Sequence, residues 1–233
     1  MRERPIVTLD GPAGAGKSTV SRAVARRLGY LLLDTGALYR CVALAVEQAG
    51  ADADDESSVG AVAERLASDG AIEFAGASVV LQGQDVSRAI RVQAIGELAS
   101  RISALPAVRA ALLDLQRSFG AGGAIVAEGR DLGTVVFPDA EAKFYLTASA
   151  EVRAQRRHQE LAERGESANL EEVRREVIER DERDSRRAIA PLRRPEDAML
   201  VDCSSLSVDE VVTRIVARVR DVERSLRDGA AAG

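Results

Sequence analysis

Residues Gly11, Pro12, Ala13, Gly14, Ala15, Gly16, Lys17, Ser18 and Thr19 spell G-x-x-x-x-G-K-[ST]. They stand between a short apolar run (Ile6, Val7, Leu9) and a run with helical spacing (Val20, Val24, Leu28). The chemistry such a stretch can do is to cradle the phosphates of a nucleoside triphosphate. Glycine at 11, 14 and 16 admits backbone angles that a Cβ forbids, so successive N–H groups can turn toward phosphate oxygens. The helix that follows adds the positive end of its dipole. In this pattern Lys17 reaches the β- and γ-phosphates and Ser18 holds Mg²⁺. A chance glycine-rich turn is the alternative, and four fixed positions with the right flanks argue against it.

Two further groups of polar residues directly follow apolar runs. Asp34, Thr35, Tyr39 and Arg40 come after Tyr30–Leu33, and Glu128, Arg130 and Asp131 come after 122–127. In an open parallel sheet the C-terminal edge of the strands is where ligands bind. Charged groups placed just after a buried strand are costly unless something pairs with them. Arg40 and Arg130 are therefore expected to line a second anion site, although Arg130 could instead pair with Asp131 or Glu128, and Asp34-Thr35-Gly36 also reads as a simple turn and N-cap. A third group is the arginine-rich stretch holding Arg153, Arg156 and Arg157, then Arg174, Arg175, Arg180, Arg183, Arg186 and Arg187. Interleaved with Glu and Asp, it fits a solvated face laced with i,i+4 pairs. It also fits a thinly packed phosphate lid, since Arg offers a permanently charged fork.

The elements that must carry these residues read as α/β. Apolar runs at 6–9, 30–33, 122–127, 142–146 and 199–202 predict a five-stranded parallel sheet of the P-loop type with helices on both faces. Helices are expected at 19–28, 37–49, 59–66, 92–102, 106–119, 150–163 and 170–187, with a last one after a Ser207/Glu210 capping box. Asn169 with Glu172 gives a similar start to the 170–187 helix. Residues 72–74 and 79–81 flank Gly76 as a β-hairpin, which makes 68–92 a small β insertion. The expected organisation is a core of 1–67, 93–148 and 188–228, the insertion 68–92, a lid with flanking helices at 149–187, and a disordered tail at 229–233.

Composition sets the bounds. The chain has 233 residues, 46% hydrophobic and 30% charged, with 3% aromatics and no Trp, so the core must be built from Ala, Val, Leu and Ile. A net charge of −5 argues against a nucleic-acid partner. Lys17 and Lys143 are the only lysines, and a lysine kept in the loop of an arginine-rich chain gains weight. Cys41 and Cys203 read as buried thiols of a reducing compartment rather than as a disulfide. No run is long and apolar enough to span a membrane, and a cytoplasmic monomer is expected. Asn169 is the only Asn, so the Asn-Lys-x-Asp base-reading motif of GTPases is absent.

Five blocks resemble the bacterial cytidylate kinase family: 11–19, Asp-Thr-Gly-Ala-Leu-Tyr-Arg at 34–40, Asp-Val-Ser-Arg-Ala-Ile-Arg at 85–91, Glu-Gly-Arg-Asp-Leu-Gly-Thr-Val-Val-Phe-Pro-Asp at 128–139, and Arg-Asp-Glu-Arg-Asp-Ser-Arg-Arg-Ala-Ile-Ala-Pro-Leu at 180–192. The resemblance covers nearly the whole chain, and the last two blocks make it specific. It implies phosphorylation of CMP and dCMP by ATP with Mg²⁺, and assigns 68–92 to binding the monophosphate. Carried over by motif, Arg40, Arg130 and Arg187 would hold the CMP phosphate, and Thr35 would also bind CMP. Ser100, Arg109 and Asp131 would read the cytosine, and Arg180 and Asp184 the ribose hydroxyls. Lys17 with Arg153 and Arg157 would neutralise the phosphoryl group in flight. The family often has Asp where this chain has Glu128. Two alternatives stand beside this reading: a P-loop kinase for another nucleoside monophosphate or for shikimate, and a nucleotide-dependent binding module without transfer.

Overall fold

The structure is a computed structural model that describes residues 2–75, 78–163 and 165–231. Its contacts divide it into two compact units, 1–32 with 122–233 and 33–121. A five-stranded sheet is formed by β1 (Ile6–Asp10), β2 (Leu31–Asp34), β6 (Ile125–Glu128), β7 (Ala142–Thr147) and β8 (Met199–Asp202), in the order β2-β6-β1-β7-β8. β1 pairs in parallel with β6 and β7, and β7 in parallel with β8. The register sets Leu9 beside both Glu128 and Phe144, and Asp10 beside Tyr145. The polar ends Asp10 and Glu128 therefore come out one residue apart at the same edge, as a parallel ladder allows, while β7 runs two residues further to Thr147.

In the first unit, α1 (Lys17–Leu28) and α8 (Val208–Ala231) bury their apolar stripes together with inward residues of the sheet. Val20 and Val24 meet Val7, Phe144, Val211, Ile215 and Val219 there. Cys203 joins this cluster, and Cys41 is likewise a buried thiol. The capping box opens α8 as expected: Ser207 N–H donates to Glu210 Oε2 (2.8 Å) and Glu210 N–H to Ser207 Oγ (3.3 Å). The helical hairpin α6 (Ala150–Glu163) and α7 (Leu170–Ser185) encloses a small cluster of its own, Leu161, Val173 and Val177 with Ala168 against it. Asn169 caps α7, its Oδ1 accepting from Glu171 N–H (2.8 Å).

The second unit holds α2 (Thr35–Ala49), α3 (Glu56–Ser68), α4 (Gln93–Ile102), α5 (Pro106–Gly120) and a separate antiparallel sheet. That sheet is β3 (Ile72–Ala75), β4 (Ser78–Leu81) and β5 (Gln84–Asp85), in that order. Phe74 meets Phe119 of α5 edge-on, with ring centroids 5.6 Å apart.

Several expectations need correction. The hairpin has a third strand, β5, too short and polar to show apolar alternation. Its expected turn at Gly76 lies outside the described residues. Arg186 and Arg187 fall beyond α7, where Asp184 carbonyl accepts from Leu192 N–H (2.8 Å) and the chain leaves the helical path. Residues 229–231, expected in the tail, continue α8, while 232 and 233 lie outside the described residues. Leu132–Val136 winds as a π-helical turn that no periodicity announces.

Candidate active site

The loop 11–16 curves because glycine permits it. Gly11 has φ +147°, and a Cβ there would lie 2.0 Å from the Leu146 carbonyl oxygen of β7. Gly16, at φ +89°, ends the loop in a left-handed conformation and opens α1. Lys17 Nζ folds back and donates to the carbonyls of Gly11 and Pro12, 2.8 Å each. Burial lowers the Lys17 ammonium well below its ordinary pKa, and the Arg130 charge lowers it further against the pull of Glu128. A desolvated cation beside another cation is strongly attractive to an incoming anion. Ser18 Oγ donates to Glu128 Oε2 (2.9 Å), which joins the first helical turn to the end of β6. Glu128 is 4% exposed.

After β6 the chain passes Gly129, Arg130 and Asp131 into the π-turn. Gly129 N–H donates to the Leu9 carbonyl at 3.1 Å. Asp131 is buried, and its carbonyl accepts from Val135 N–H (2.9 Å) and Thr134 Oγ1 (3.3 Å). Asp10, wholly buried, accepts from Leu132 N–H (2.9 Å) and Gly133 N–H (2.8 Å). Burial lifts the Asp10 carboxyl to about 6, against the two amides that favour its charge.

Carboxylates of α7 draw the arginines together. Asp184, 1% exposed, accepts from Arg130 Nε (3.0 Å) on one oxygen and from Arg187 (2.5 Å) on the other. Burial pushes the Asp184 carboxyl up, but Arg130, Arg187 and Arg180 together outweigh it and hold it below the ordinary range. Asp181 pairs with Arg153. Arg153 also donates to the loop carbonyl of Ala13 (3.1 Å) and to Ala148 (2.9 Å). Arg156 donates to the Cys203 carbonyl (2.6 Å) and reaches within 3.8 Å of where a Gly16 Cβ would stand. Arg157 instead pairs with Glu160 (3.4 Å) on the outer side of α6.

In the second unit, Asp34 caps α2, accepting from Ala37 N–H (3.0 Å), and pairs with Arg91 (2.9 Å). Thr35 is buried at the helix start, and the Arg40 guanidinium lies 3.7 Å from where a Gly36 Cβ would stand. Arg109 is buried, donates to the Ser103 carbonyl (3.2 Å), and lies 5.9 Å over the Tyr39 ring. Ser103 Oγ in turn donates to the Ser100 carbonyl (3.0 Å), so Arg109 and the buried Ser100 share one polar cluster.

Within the first unit, then, Lys17, Ser18, Arg130, Asp131, Arg153, Arg180, Asp184 and Arg187 belong to one electrostatic network. Arg157 stands outside the contacts that join them. Within the second, Thr35 with Arg40 and Ser100 with Arg109 form the two groupings. The sequence gave no separate role to Asp10, Arg91 or Asp181, and it named Tyr39 and Arg156 only as members of their groups. Asp10 gave a signal, a carboxylate ending an apolar strand, which is costly unless it bonds to something. Arg156 gave none that separated it from Arg157.

Comparison with known proteins finds relatives over nearly the whole chain. The sequence profile of the cytidylate kinase family matches residues 7–221. The cytidylate kinase of Geobacter sp. (strain M21) is 48% identical over 216 residues, covering 93% of each chain. That of Aeromonas salmonicida (strain A449) is 46% identical over 227 residues, covering 97% of each. Among solved structures, a gluconokinase from Sinorhizobium meliloti 1021 superposes with a TM-score of 0.51 at 17% identity, over 98% of this chain and 99% of that one. An uncharacterized protein from Eubacterium ventriosum ATCC 27560 gives 0.56 at 9% identity, over 94% and 99%. Those two likenesses concern the fold alone. With the family profile spanning residues 7–221 and relatives near half identity over more than nine-tenths of the chain, this chain belongs to the cytidylate kinase family.

Proposed function

We propose that the protein transfers the γ-phosphoryl group of ATP to CMP or dCMP, giving ADP and the pyrimidine diphosphate. The observation that carries this is family membership over 7–221 with the phosphate loop intact. A phosphate oxygen of CMP attacks the γ-phosphorus in line, the bond to the β-γ bridging oxygen breaks, and ADP leaves with that electron pair. Such a transfer asks the protein mainly for positioning and charge neutralisation, so no side chain acts as a nucleophile.

Residue roles follow the chemistry on the page. The loop 11–19 takes the ATP phosphates, and Lys17, already desolvated, meets the charge on the transferring group. Ser18 is assigned to Mg²⁺: its hydroxyl and the Glu128 carboxylate are hard oxygen donors, and a first-turn position suits an ion that keeps most of its ligands as water and phosphate oxygens. When bound, the ion would draw charge from the β- and γ-phosphates. In the first unit, Arg130 and Arg187 are assigned to the acceptor phosphate, Arg180 and Asp184 to the ribose, and Asp131 to the base. In the second unit, Thr35 and Arg40 are assigned to the phosphate, and Ser100 and Arg109 to the cytosine. Buried donors such as these penalise a base that leaves them unpaired. Arg153 and Arg157 remain assigned to the phosphoryl group, and the position of Arg156 beside Gly16 makes it a third candidate. The segment 149–187 is the lid that excludes water, and 68–92 belongs to monophosphate binding. Among the described residues no helix is long and apolar enough to cross a membrane. A cytoplasmic monomer without a nucleic-acid partner completes the proposal.

A coupled assay with ATP·Mg²⁺ across CMP, dCMP, UMP, AMP and shikimate tests the reading. CMP and dCMP should be turned over best, and chelation of the metal should stop the reaction. Turnover of shikimate or AMP in preference to CMP would overturn it. Arg130→Ala should raise KM for CMP and lower kcat while leaving KM for ATP nearly unchanged. An equal loss of ATP affinity would contradict the separate acceptor site.

A further inference from the structure

Asp10 is the last residue of β1 and is wholly buried. Its two oxygens serve separate backbone donors 122 and 123 residues further along the chain: Oδ1 accepts from Leu132 N–H at 2.9 Å, Oδ2 from Gly133 N–H at 2.8 Å. These two residues open the π-turn Leu132–Val136 and directly follow Arg130 and Asp131. The first N–H groups of any helical turn lack partners within it, and here a carboxylate from another strand supplies them. On the other side of the pair, Gly129 N–H is held at 3.1 Å by the carbonyl of Leu9, the residue before Asp10. Gly133 is also packed so closely that a Cβ there would lie 2.9 Å from Pro195 Cγ. Arg130 and Asp131 thus leave the chain between two anchors given by consecutive residues of β1.

We infer that Asp10 is a positioning residue for the acceptor nucleotide, gripping the Leu132 and Gly133 amides so that Arg130 and Asp131 project at fixed points. It touches no substrate. The inference rests on reading Arg130 and Asp131 as acceptor-binding. A carboxylate suits the task because it accepts two N–H bonds at once without offering a donor, and charge-assisted bonds to backbone amides are short and strong.

The decisive variant is Asp10→Asn, nearly the same in shape. Its amide oxygen keeps one N–H bond, and its NH₂ faces the other donor. Loss of one bond to a charged acceptor translates into a roughly ten- to hundredfold fall in kcat/KM for CMP, carried mainly by KM, with KM for ATP within about twofold of wild type. A rise in KM for ATP with KM for CMP unchanged would overturn the inference, because Asp10 would then serve Lys17 and the phosphate loop. A measurement on the wild-type protein stands beside this in case the variant does not fold. The Leu132 and Gly133 amide signals should titrate together with a midpoint near the value of about 6 to which burial raises Asp10, and the Arg130 Nε–H signal should follow. The charged and titratable groups facing Asp10 are Asp131, Lys17 and Tyr145. Tyr145 is held above its ordinary pKa by burial and then by Asp181, and so stays neutral throughout. Amides that do not move between pH 4.5 and 8, or amides that move without Arg130, would refute the grip or its consequence. If the amides and Arg130 titrate while Arg130→Ala leaves KM for CMP unchanged, the acceptor-site reading fails, and the inference with it.

Discussion

Asp184→Ala strikes the point at which the arginines of the first unit converge. The carboxylate is 1% exposed, while the side chains of Arg187 and Arg130 are 6% and 20% exposed. Alanine removes the group that accepts from both of them and leaves two largely buried guanidinium charges without that counter-charge. Taking one partner from a buried ion pair costs about 3–5 kcal/mol. At about 2–4 °C per kcal/mol for a chain of this size, Tm should fall by roughly 6–20 °C. Asp184→Asn keeps the shape and isolates the charge, which fixes how its effect depends on pH. Burial alone would raise this carboxyl, but Arg130, Arg187 and Arg180 hold it below its ordinary range. A carboxyl depressed by folding contributes stability above its unfolded pKa, and that contribution is lost as pH falls through the folded value. The difference in unfolding free energy between wild type and Asp184→Asn should therefore be full at pH 7, begin to close below about pH 4, and vanish only below the lowered folded value. Thermal melts of Asp184→Ala at pH 7 and denaturant unfolding of Asp184→Asn from pH 3 to 8 give both quantities. A Tm loss under about 2 °C, or a difference that grows as the pH is lowered, would show that Asp184 is not the counter-charge described.

Three further substitutions probe separate parts of the structure. Lys17→Ala should lower kcat by roughly 10²–10³, the effect of removing one preorganised group facing developing charge. Its Tm should hold or rise because burial already disfavours this ammonium; a marked fall in Tm would assign Lys17 to the fold. Gly11→Ala places a Cβ 2.0 Å from the Leu146 carbonyl oxygen. The loop must then leave β7, and KM for ATP should rise by roughly tenfold or more before KM for CMP changes; unchanged ATP kinetics would contradict the loop geometry. Tyr39→Leu withdraws the ring beneath Arg109 and should raise KM for CMP roughly two- to fivefold, with Tyr39→Phe near wild type. Equal behaviour of the two variants would remove the ring from the argument.

What the sequence disclosed depended on how locally each feature is determined. The phosphate loop, its flanking strand and helix, and the capping residues Asn169, Ser207 and Glu210 were all legible, because spacing within a few residues decides them. The strands of the main sheet were legible for the same reason, but their order was not, since order is set by crossovers rather than by any one stretch. The π-turn at Leu132 was not legible: Asp10 holds it from more than a hundred residues away. That Arg156 stands beside Gly16 lay beyond the sequence too. Arg156 and Arg157 both follow Arg153 at helical spacing, and the Cys203 carbonyl, on the far side of the chain, selects Arg156 for the side of the loop. The exit of the chain after Ser185 was hidden because the run Arg183 to Arg187 is as helix-compatible as the turns before it. There the Asp184 carbonyl accepts from Leu192 N–H, a partner that no local spacing announces.

The hairpin α6–α7 has almost no interior. Leu161, Val173 and Val177 are the buried members of its cluster, and at about 1.5–3 kcal/mol for each large apolar side chain they fall far short of the conformational entropy of some three dozen residues. Cut from the chain, the peptide 149–187 would give the circular dichroism of a largely unfolded coil. The segment therefore has no shape of its own to which it could spring. Its conformation leans on bonds from outside, such as those of Arg130 to the Asp184 carboxylate, of Arg153 to the Ala13 carbonyl and of Arg156 to the Cys203 carbonyl. Each of these bonds has one member that a bound anion would also seek. The hairpin is thus less a hinged flap than a counter-ion with a tether, and its order is a reading of who holds the arginines.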